Sequence, residues 1–222
     1  VARQVAGAVG TGVLLRPDLV LTARHVIADD AGNLTCNLAD VRLLIGASSV
    51  VDRYDLDTPG PDGEMRLAKG ALVGTTEDWA MLRLRQPSTK QPIANARGTG
   101  VSRGNTVFSI GWGLDESGDL STSLRVNRFD VTSADPKFLW TSSKHNSKTA
   151  VFRSSDRSAC EGDSGGPLVK LGSSTRADTD MLVGITLNST SFQCTRGAAD
   201  FRFLRSKYIN KILTTAKRYG DY

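Results

Sequence analysis

Reactive side chains are scarce in this sequence of 222 residues. It has only two histidines, His25 and His145, and three cysteines. The cysteines form no Cys-x-x-Cys pair and no Cys/His cluster, so a zinc site is not expected, and no other metal or cofactor is predicted. No run of about 18 apolar residues occurs, which argues against a membrane-spanning helix. Any chemistry that depends on a histidine is therefore limited to two positions.

The net charge is positive, with 28 Lys and Arg against 23 Asp and Glu, and much of the excess lies near the C-terminus. The basic residues there are Arg202, Arg205, Lys207, Lys211, Lys217 and Arg218. A basic stretch can bind nucleic acid or acidic lipid, but no aromatic RNA-binding motif accompanies it. We therefore expect a solvated helix face, with no nucleic-acid partner and no membrane association.

Short runs of apolar and β-branched residues recur along the chain, separated by Gly, Pro and Asp. The runs predicted to be strands are 9–15, 19–22, 41–45, 79–84, 106–110, 124–131, 150–152, 167–171 and 181–187. Because no helices alternate with them, they indicate an all-β barrel or sandwich. An amphipathic C-terminal helix is predicted from the helical spacing of Phe203, Leu204, Tyr208, Ile209, Ile212 and Leu213.

The most informative segment runs from Cys160 to Pro167 and reads Cys-Glu-Gly-Asp-Ser-Gly-Gly-Pro. It places Ser164 on a turn bracketed by glycines, with Asp163 beside it. A serine hydroxyl is protonated at neutral pH and is a poor nucleophile unless a base is held against it. A catalytic serine here therefore requires a histidine elsewhere in the chain, and a carboxylate that orients that histidine.

His25 and Asp78 are the candidates for these two roles. His25 comes shortly after the predicted strand 19–22, whose end can hold an imidazole in a fixed position. Asp78 directly precedes another predicted strand. Each signal is weak alone, because lone histidines are commonly structural and acids before strands are frequent. His145 lies in a polar stretch and is interpreted as a surface-loop residue.

In this order, His25, Asp78 and Ser164 resemble the triad of the chymotrypsin-like (trypsin-fold) serine proteases. That family has a Thr-Ala-x-His strand end, an Asp-x-Ala-x-Leu strand and a Gly-Asp-Ser-Gly-Gly-Pro turn, and all three occur here. The resemblance covers nearly the whole chain. It implies two antiparallel six-stranded β-barrels followed by the C-terminal helix, with residues 1–100 in the first barrel and residues 101–222 in the second.

The resemblance implies a serine endopeptidase that hydrolyses peptide bonds of a protein or peptide substrate through an acyl-enzyme. Ser164 would attack the carbonyl carbon, His25 would accept the serine proton, and Asp78 would orient and stabilise the imidazole. The backbone N–H groups of Gly162 and Ser164 would form the oxyanion hole, where a glycine avoids a Cβ clash.

A disulfide is also implied, because Cys160 and Cys194 match the family's pair along the wall of the specificity pocket. Cys36 is then left over. Such a bond favours an oxidising compartment, which is a weak indication of secretion and does not exclude the cytoplasm.

The substrate-binding residues implied by the resemblance are Ser158, Asn188, Ser189 and Asp200. Ser158 would lie at the base of the specificity pocket, where a neutral residue favours a small or apolar P1 side chain because a buried cation without a counter-charge is costly. Asp200 could instead bind Lys or Arg if it points inward, but an outward orientation is preferred. Asn188 and Ser189 would line the strand that pairs with the substrate backbone.

The sequence departs from the family near its start. Animal trypsin-like enzymes begin Ile/Val-Val-Gly-Gly after zymogen cleavage, and their new ammonium group pairs with the acid before the nucleophile, here Asp163. No Val-Gly-Gly occurs, so Asp163 needs another partner. Since the chain begins at Val1, we expect an earlier segment to have been removed. The short first barrel and few cysteines favour the bacterial or viral branch, or one domain of a larger protein.

Two alternatives to a constitutively active protease remain. A regulatory partner or an additional domain could order the site, or the chain could be a pseudoenzyme that acts as a binding module. The pseudoenzyme is disfavoured because no triad member is missing. The family has a serine that supports the acid of the triad, and here Leu187 stands at that position, with Thr186 beside it. Which hydroxyl supports Asp78, if any, is left open by the sequence.

Overall fold

The computed structural model describes residues 2–6, 8–36, 41–45, 52–55, 78–84, 86–93, 101–114, 118–119, 121, 124–134, 138–143, 159–172, 180–189 and 200–205. These residues form β-strands in two antiparallel sheets and one short 3₁₀ helix, Arg24–Val26. None of the helical structure in these ranges is long and apolar enough to cross a bilayer. The predicted all-β class is confirmed.

The first sheet is built from the N-terminal part of the chain. Its strands are β1 (Ala2–Ala6), β2 (Ala8–Arg16), β3 (Leu19–Thr22), β4 (Arg42–Ile45), β5 (Asp52–Asp55) and β6 (Ala80–Arg83). They are ordered β5-β4-β1-β2-β3-β6. Strand β3 is buried along its whole length, which explains why its sequence is a continuous apolar run rather than an alternating one.

The second sheet closes on itself. Its strands are β7 (Thr106–Gly111), β8 (Arg125–Ala134), β9 (Phe138–Ser143), β10 (Pro167–Lys170), β11 (Met181–Ser189) and β12 (Asp200–Arg205). They form a barrel in the order β10-β11-β12-β9-β8-β7. Along β7 buried residues alternate with partly exposed ones, as expected for a strand with one face toward a barrel interior.

Helical spacing gave the wrong structure for Phe203 and Leu204. Both lie in β12, where they pair with Leu139 and Phe138 of β9 on one side and with β11 on the other. Ladder pairing on two sides closes the barrel and overrides a local helical pattern. The remaining residues of the predicted helix and the predicted strand 150–152 lie outside the described residues.

The two sheets pack together through one of two apolar clusters. Leu182, Ile185 and Leu187 of β11 are buried in the same cluster as the core of the first sheet, including Trp79 and Leu21. Val183, between them in sequence, packs in the separate core of the second barrel with Phe129 and Leu168. The pairing of β10 with β11 has an irregularity at this point, where Leu168 pairs with Gly184 and Val169 with Leu182, so Val183 and Ile185 can point to different cores although they are two residues apart. Strand β11 therefore contacts both cores, and this packing brings the turn before β10 against the end of β3.

Candidate active site

His25 and Asp78 are joined by two hydrogen bonds. The backbone N–H of His25 donates to Asp78 Oδ1 at 2.9 Å, and the ring Nδ1 lies 2.5 Å from Asp78 Oδ2. His25 belongs to the 3₁₀ turn that follows β3, and Asp78 stands just before β6, which pairs with β3. The pairing of β3 with β6 thus brings the two residues together, and the contact leaves Nε2 as the ring nitrogen that can act on a substrate.

The Asp78 carboxylate is held in its charged form. Burial by itself raises its pKa, but the hydrogen bonds from His25, the charge interaction with His25 and the nearby charge of Arg24 bring the pKa below the ordinary value of 3.8. The His25 side chain is 40% exposed and that of Asp78 only 14%. An ionised, largely covered carboxylate behind a half-exposed imidazole is the arrangement that orients a general base.

Arg24 is a contributor that sequence reasoning missed. Its side chain is 3% exposed, and its Nη2 donates to Asp30 Oδ1 at 2.5 Å. It stands directly before His25 on the 3₁₀ turn, so its charge lies close to Asp78. The only sequence signal was a basic residue between an apolar strand and the candidate base.

The turn that carries Ser164 is held by both sheets. Ser164 O accepts a hydrogen bond from the N–H of Thr11 on β2 at 2.8 Å, and the N–H of Gly165 donates to Thr186 O on β11 at 2.7 Å. Gly165 has φ +84°. A Cβ at this position would collide with Thr11 O and would lie 2.6 Å from the backbone nitrogen of Ala23. The glycine after the serine is therefore required for the two sheets to meet here.

The hydroxyl of Ser164 does not bond to His25 in this structure. It donates instead to the carbonyl oxygen of Leu187 at 3.4 Å, and the described residues show no hydrogen bond between Ser164 and the imidazole. Catalytic hydrogen bonds are often long or misaligned in the absence of a substrate. The structure thus shows His25 and Asp78 as a hydrogen-bonded pair, with Ser164 on the neighbouring turn.

Two peptide groups beside Ser164 have fixed directions. Glu161 O accepts from Leu114 N–H at 2.8 Å, and Asp163 O accepts from Gly166 N–H at 2.9 Å. Because a trans peptide directs its N–H opposite to its C=O, the N–H groups of Gly162 and Ser164 point away from these contacts. Neither donates to any acceptor among the described residues. Two directed N–H groups without a protein acceptor are the donors that an oxyanion site needs.

Two backbone N–H groups donate to the carboxylate of Asp163. Its Oδ1 accepts from Gly113 N–H and its Oδ2 from Cys160 N–H, both at 2.8 Å. Burial raises the pKa of this carboxyl to about 6, although these two N–H groups and the charge of Arg125 oppose that shift. A Cβ on Gly111 or Gly113 would collide with the carboxylate. Within the described residues, the hydrogen-bond partners of Asp163 are therefore the backbone N–H groups of Gly113 and Cys160.

Among the described residues, neither Thr186 nor Leu187 donates a hydrogen bond to Asp78. The buried hydroxyl of Thr186 is 3.1 Å from Ser109 Oγ, inside the second barrel, and Leu187 contributes its carbonyl oxygen to Ser164. The hydrogen bonds that the structure gives to Asp78 within its described part come from His25 alone.

The predicted specificity residues are only partly described. Asn188 and Ser189 lie at the end of β11, paired with Arg202 and Phe201, and Asp200 begins β12, paired with Ser142. Ser158 and Cys194 fall outside the described residues. Cys160 is disulfide-bonded, whereas Cys36 keeps its thiol, which is 3.9 Å from Ile27 O.

Comparison with known proteins assigns the family. The sequence profile of the Trypsin family matches residues 1–212. The chain is 31% identical to human Granzyme M over 173 residues, which is 71% of this chain and 62% of that protein. It is 35% identical to Trypsin iota of Drosophila melanogaster over 124 residues, 53% of this chain and 45% of that protein. The chain belongs to the Trypsin family.

The expected leaning toward the bacterial or viral branch is not supported. A trypsin-like protease of Streptomyces glaucescens is 28% identical over 169 residues, 72% of this chain and 58% of that protein, and the two animal proteins match at higher identity. Few cysteines and a short N-terminal region were poor indicators of branch, because disulfides and loops vary without changing the barrels. The chain spans about half to three fifths of the length of these relatives.

Proposed function

We propose that this protein is a serine endopeptidase that cleaves peptide bonds through an acyl-enzyme. Ser164 Oγ attacks the peptide carbonyl, His25 Nε2 accepts its proton and returns it to the leaving amine, and ionised Asp78 holds the imidazole. The observation that carries the proposal is the double hydrogen bond from His25 to Asp78. It leaves Nε2 as the working nitrogen, on a turn that lies beside the serine.

The oxyanion hole is assigned to the N–H groups of Gly162 and Ser164. Their directions are set by the carbonyls of Glu161 and Asp163, which are bonded elsewhere. Donors that are oriented before the reaction stabilise the developing negative charge without reorganisation, and loss of one such donor typically slows kcat by about 10²- to 10³-fold.

The proposal is tested by labelling the purified protein with a fluorophosphonate probe, which reacts with activated serines. We expect one equivalent of label on Ser164, and complete loss of labelling in Ser164→Ala and in His25→Ala. The exposed residue Ser102 gives a matched control, and Ser102→Ala should label like the unmodified chain. Absence of labelling of the unmodified chain with every substrate-like probe tried would contradict an active protease.

A gated protease is the second candidate. It is favoured by the contact of the Ser164 hydroxyl with Leu187 O rather than with His25. The bonding of Asp163 argues against it, because each oxygen of its carboxylate already accepts a hydrogen bond, one from Gly113 N–H and one from Cys160 N–H. Labelling that begins only when a partner protein or a further domain is added would favour gating. The same probe therefore separates the two candidates.

Preference for a small or apolar P1 side chain follows from Ser158 at the base of the proposed pocket. A peptide-library cleavage profile is the test, and we expect cleavage after small or apolar residues. Asp200→Ala should leave the profile unchanged, because we assign its side chain to the outer face. Strong cleavage after Lys or Arg that is lost in Asp200→Ala would reverse this assignment and would place the acid in the pocket.

The proposed pocket also includes Asn188 and Ser189 as the strand that pairs with the substrate backbone, and the disulfide between Cys160 and Cys194 along its wall. The bonded state of Cys160 is consistent with this pairing and with an oxidising, secretory compartment. The substrate is a protein or peptide, and no nucleic acid is invoked.

A further inference from the structure

Thr11 is a buried polar residue in the middle of strand β2 with no role in the triad. Its side chain is 1% exposed. The hydroxyl donates to Gly162 O at 2.7 Å and accepts from the N–H of Trp112 at 3.1 Å. One hydroxyl of the first sheet therefore joins the peptide after Gly162 to the segment that follows β7.

The main chain of Thr11 is fixed as well. Its N–H donates to Ser164 O at 2.8 Å, and its C=O accepts from Thr22 Oγ1 at 2.7 Å. Four hydrogen bonds thus hold this one residue, and three of them reach the second half of the chain. Because these bonds fix the main chain and a β-branched side chain is stiff at χ1, the hydroxyl is held in one place and provides a rigid point of attachment.

The hydroxyl acts at a glycine, which is the residue least able to hold its own conformation. Gly162 has φ +90°, and glycine populates several backbone regions at similar energy. The peptide before it is fixed by the bond from Leu114 N–H to Glu161 O. The peptide after it is fixed by Thr11 Oγ1. The same hydroxyl also accepts from Trp112 N–H, two residues from Leu114. It therefore helps to position both hydrogen bonds, the one to Glu161 O and the one to Gly162 O.

We propose that the Thr11 hydroxyl is a positioning group for the oxyanion hole, which keeps the Gly162 N–H directed at the substrate carbonyl. The inference rests on the proposed protease function. Removal of the hydroxyl leaves two buried groups, Trp112 N–H and Gly162 C=O, without a partner. Unsatisfied buried groups are costly, so the Gly162 peptides rotate to find new partners and the N–H no longer meets the oxyanion.

The test compares Thr11→Val, which keeps the shape and loses the hydroxyl, with Thr11→Ser, which keeps the hydroxyl. Steady-state hydrolysis of a peptide p-nitrophenyl ester gives kcat and KM separately. We expect Thr11→Val to lower kcat by about 10-fold or more, up to the roughly 10²- to 10³-fold that follows loss of a whole oxyanion donor. KM should change little, because the N–H acts on the transition state. Thr11→Ser should restore kcat.

A matched control removes another buried hydroxyl. Ser109 is 1% exposed and bonds to Thr186 inside the second barrel, and among the described residues it makes no hydrogen bond to Gly162. Ser109→Ala should lower stability and leave kcat unchanged. A second readout does not depend on activity: the amide of Trp112 should exchange with deuterium faster in Thr11→Val than in the unmodified chain, and slowly again in Thr11→Ser.

The outcomes separate this inference from the function on which it rests. An unmodified chain that hydrolyses the ester, together with a Thr11→Val variant of equal kcat, would overturn the positioning role and leave the protease proposal standing. A loss of kcat in Ser109→Ala as large as in Thr11→Val would also overturn it, because the effect would then be general destabilisation. An unmodified chain without hydrolysis and without probe labelling would remove both proposals together.

Discussion

At the scale of a single residue, the surroundings of Asp163 change the pKa of its carboxyl group. Its carboxylate accepts hydrogen bonds from the N–H groups of Gly113 and Cys160, and it lies against the backbone of Gly111 and Gly113, which excludes water. Desolvation is the larger effect, so the pKa rises to about 6. Two neutral amides compensate an acid less fully than a cation would.

This shift makes stability depend on pH in a definite direction. The native state holds the Asp163 proton more tightly than the unfolded chain, so the free energy of unfolding falls as pH rises from about 4 to about 6. A shift from 3.8 to about 6 corresponds to about 3 kcal/mol. Urea denaturation at pH 4, 5, 6 and 7 measures it, and the Asp163→Asn variant, which cannot ionise, should lack this component.

Asp78 does not interfere in that interval. Its pKa is lowered, so the stability that it contributes is present above about 3.8 and is lost only as pH falls below that value. Parallel pH profiles for the unmodified chain and for Asp163→Asn between pH 4 and 7 would show that Asp163 is not desolvated as described.

Two residues at the site could not be found from the sequence, and the reason is the same for both. Thr11 lies in a strand whose sequence is otherwise apolar and glycine-rich, and Arg24 lies between a strand and His25. A polar residue in such a context signals that a partner exists, but the partner is far away in the chain. Thr11 bonds to Gly162, 151 residues later, and no local pattern encodes that contact.

At the scale of elements, the strands that sequence analysis found are those with apolar runs, such as β2, β3 and β11. The strands it missed are β1, β5, β9 and β12, which are richer in polar residues. Strand β12 has large apolar residues, but their spacing also fits a helix. Its pairing with β9 and β11 decides the conformation, since the conformation of a short segment depends on tertiary context.

The turns were predicted more reliably than the missed strands because glycine marks them directly. Gly162 and Gly165 both have positive φ, which is strained for any residue with a Cβ. The sequence therefore indicated a sharp turn around Ser164. It did not indicate that Gly165 faces the backbone of Thr11 and Ala23, because that contact arises only when the two sheets pack together.

At the scale of the whole molecule, the site exists because the two sheets share a core through β11. Ile185 faces the first sheet and is fully buried, whereas Val183 on the same strand faces the barrel interior. Ile185→Ala should lower the free energy of unfolding by about 2–5 kcal/mol, and it should also lower kcat, because the packing that aligns Ser164 with His25 is loosened.

Val183→Ala is the control on the same strand. It should lower stability through the barrel core and leave kcat unchanged at a temperature where both variants are fully folded. Denaturation followed by fluorescence and by hydrolysis of the ester gives the two quantities. Unchanged kcat in Ile185→Ala, or an equal loss of kcat in both variants, would show that the shared core does not set the alignment of the site.

The sequence by itself determined the motifs: an octapeptide with one serine between glycines, a histidine after a strand and an acid before another. Their order and spacing pointed to the Trypsin family and to an all-β fold, because the motifs are local and the turn needs glycine. Only the tertiary structure decided the contacts that complete the site. The amides bonded to Asp163, the hydroxyl of Thr11 at Gly162 and the contact of Ser164 with Leu187 all join segments distant in the chain, and such contacts follow from how two sheets pack.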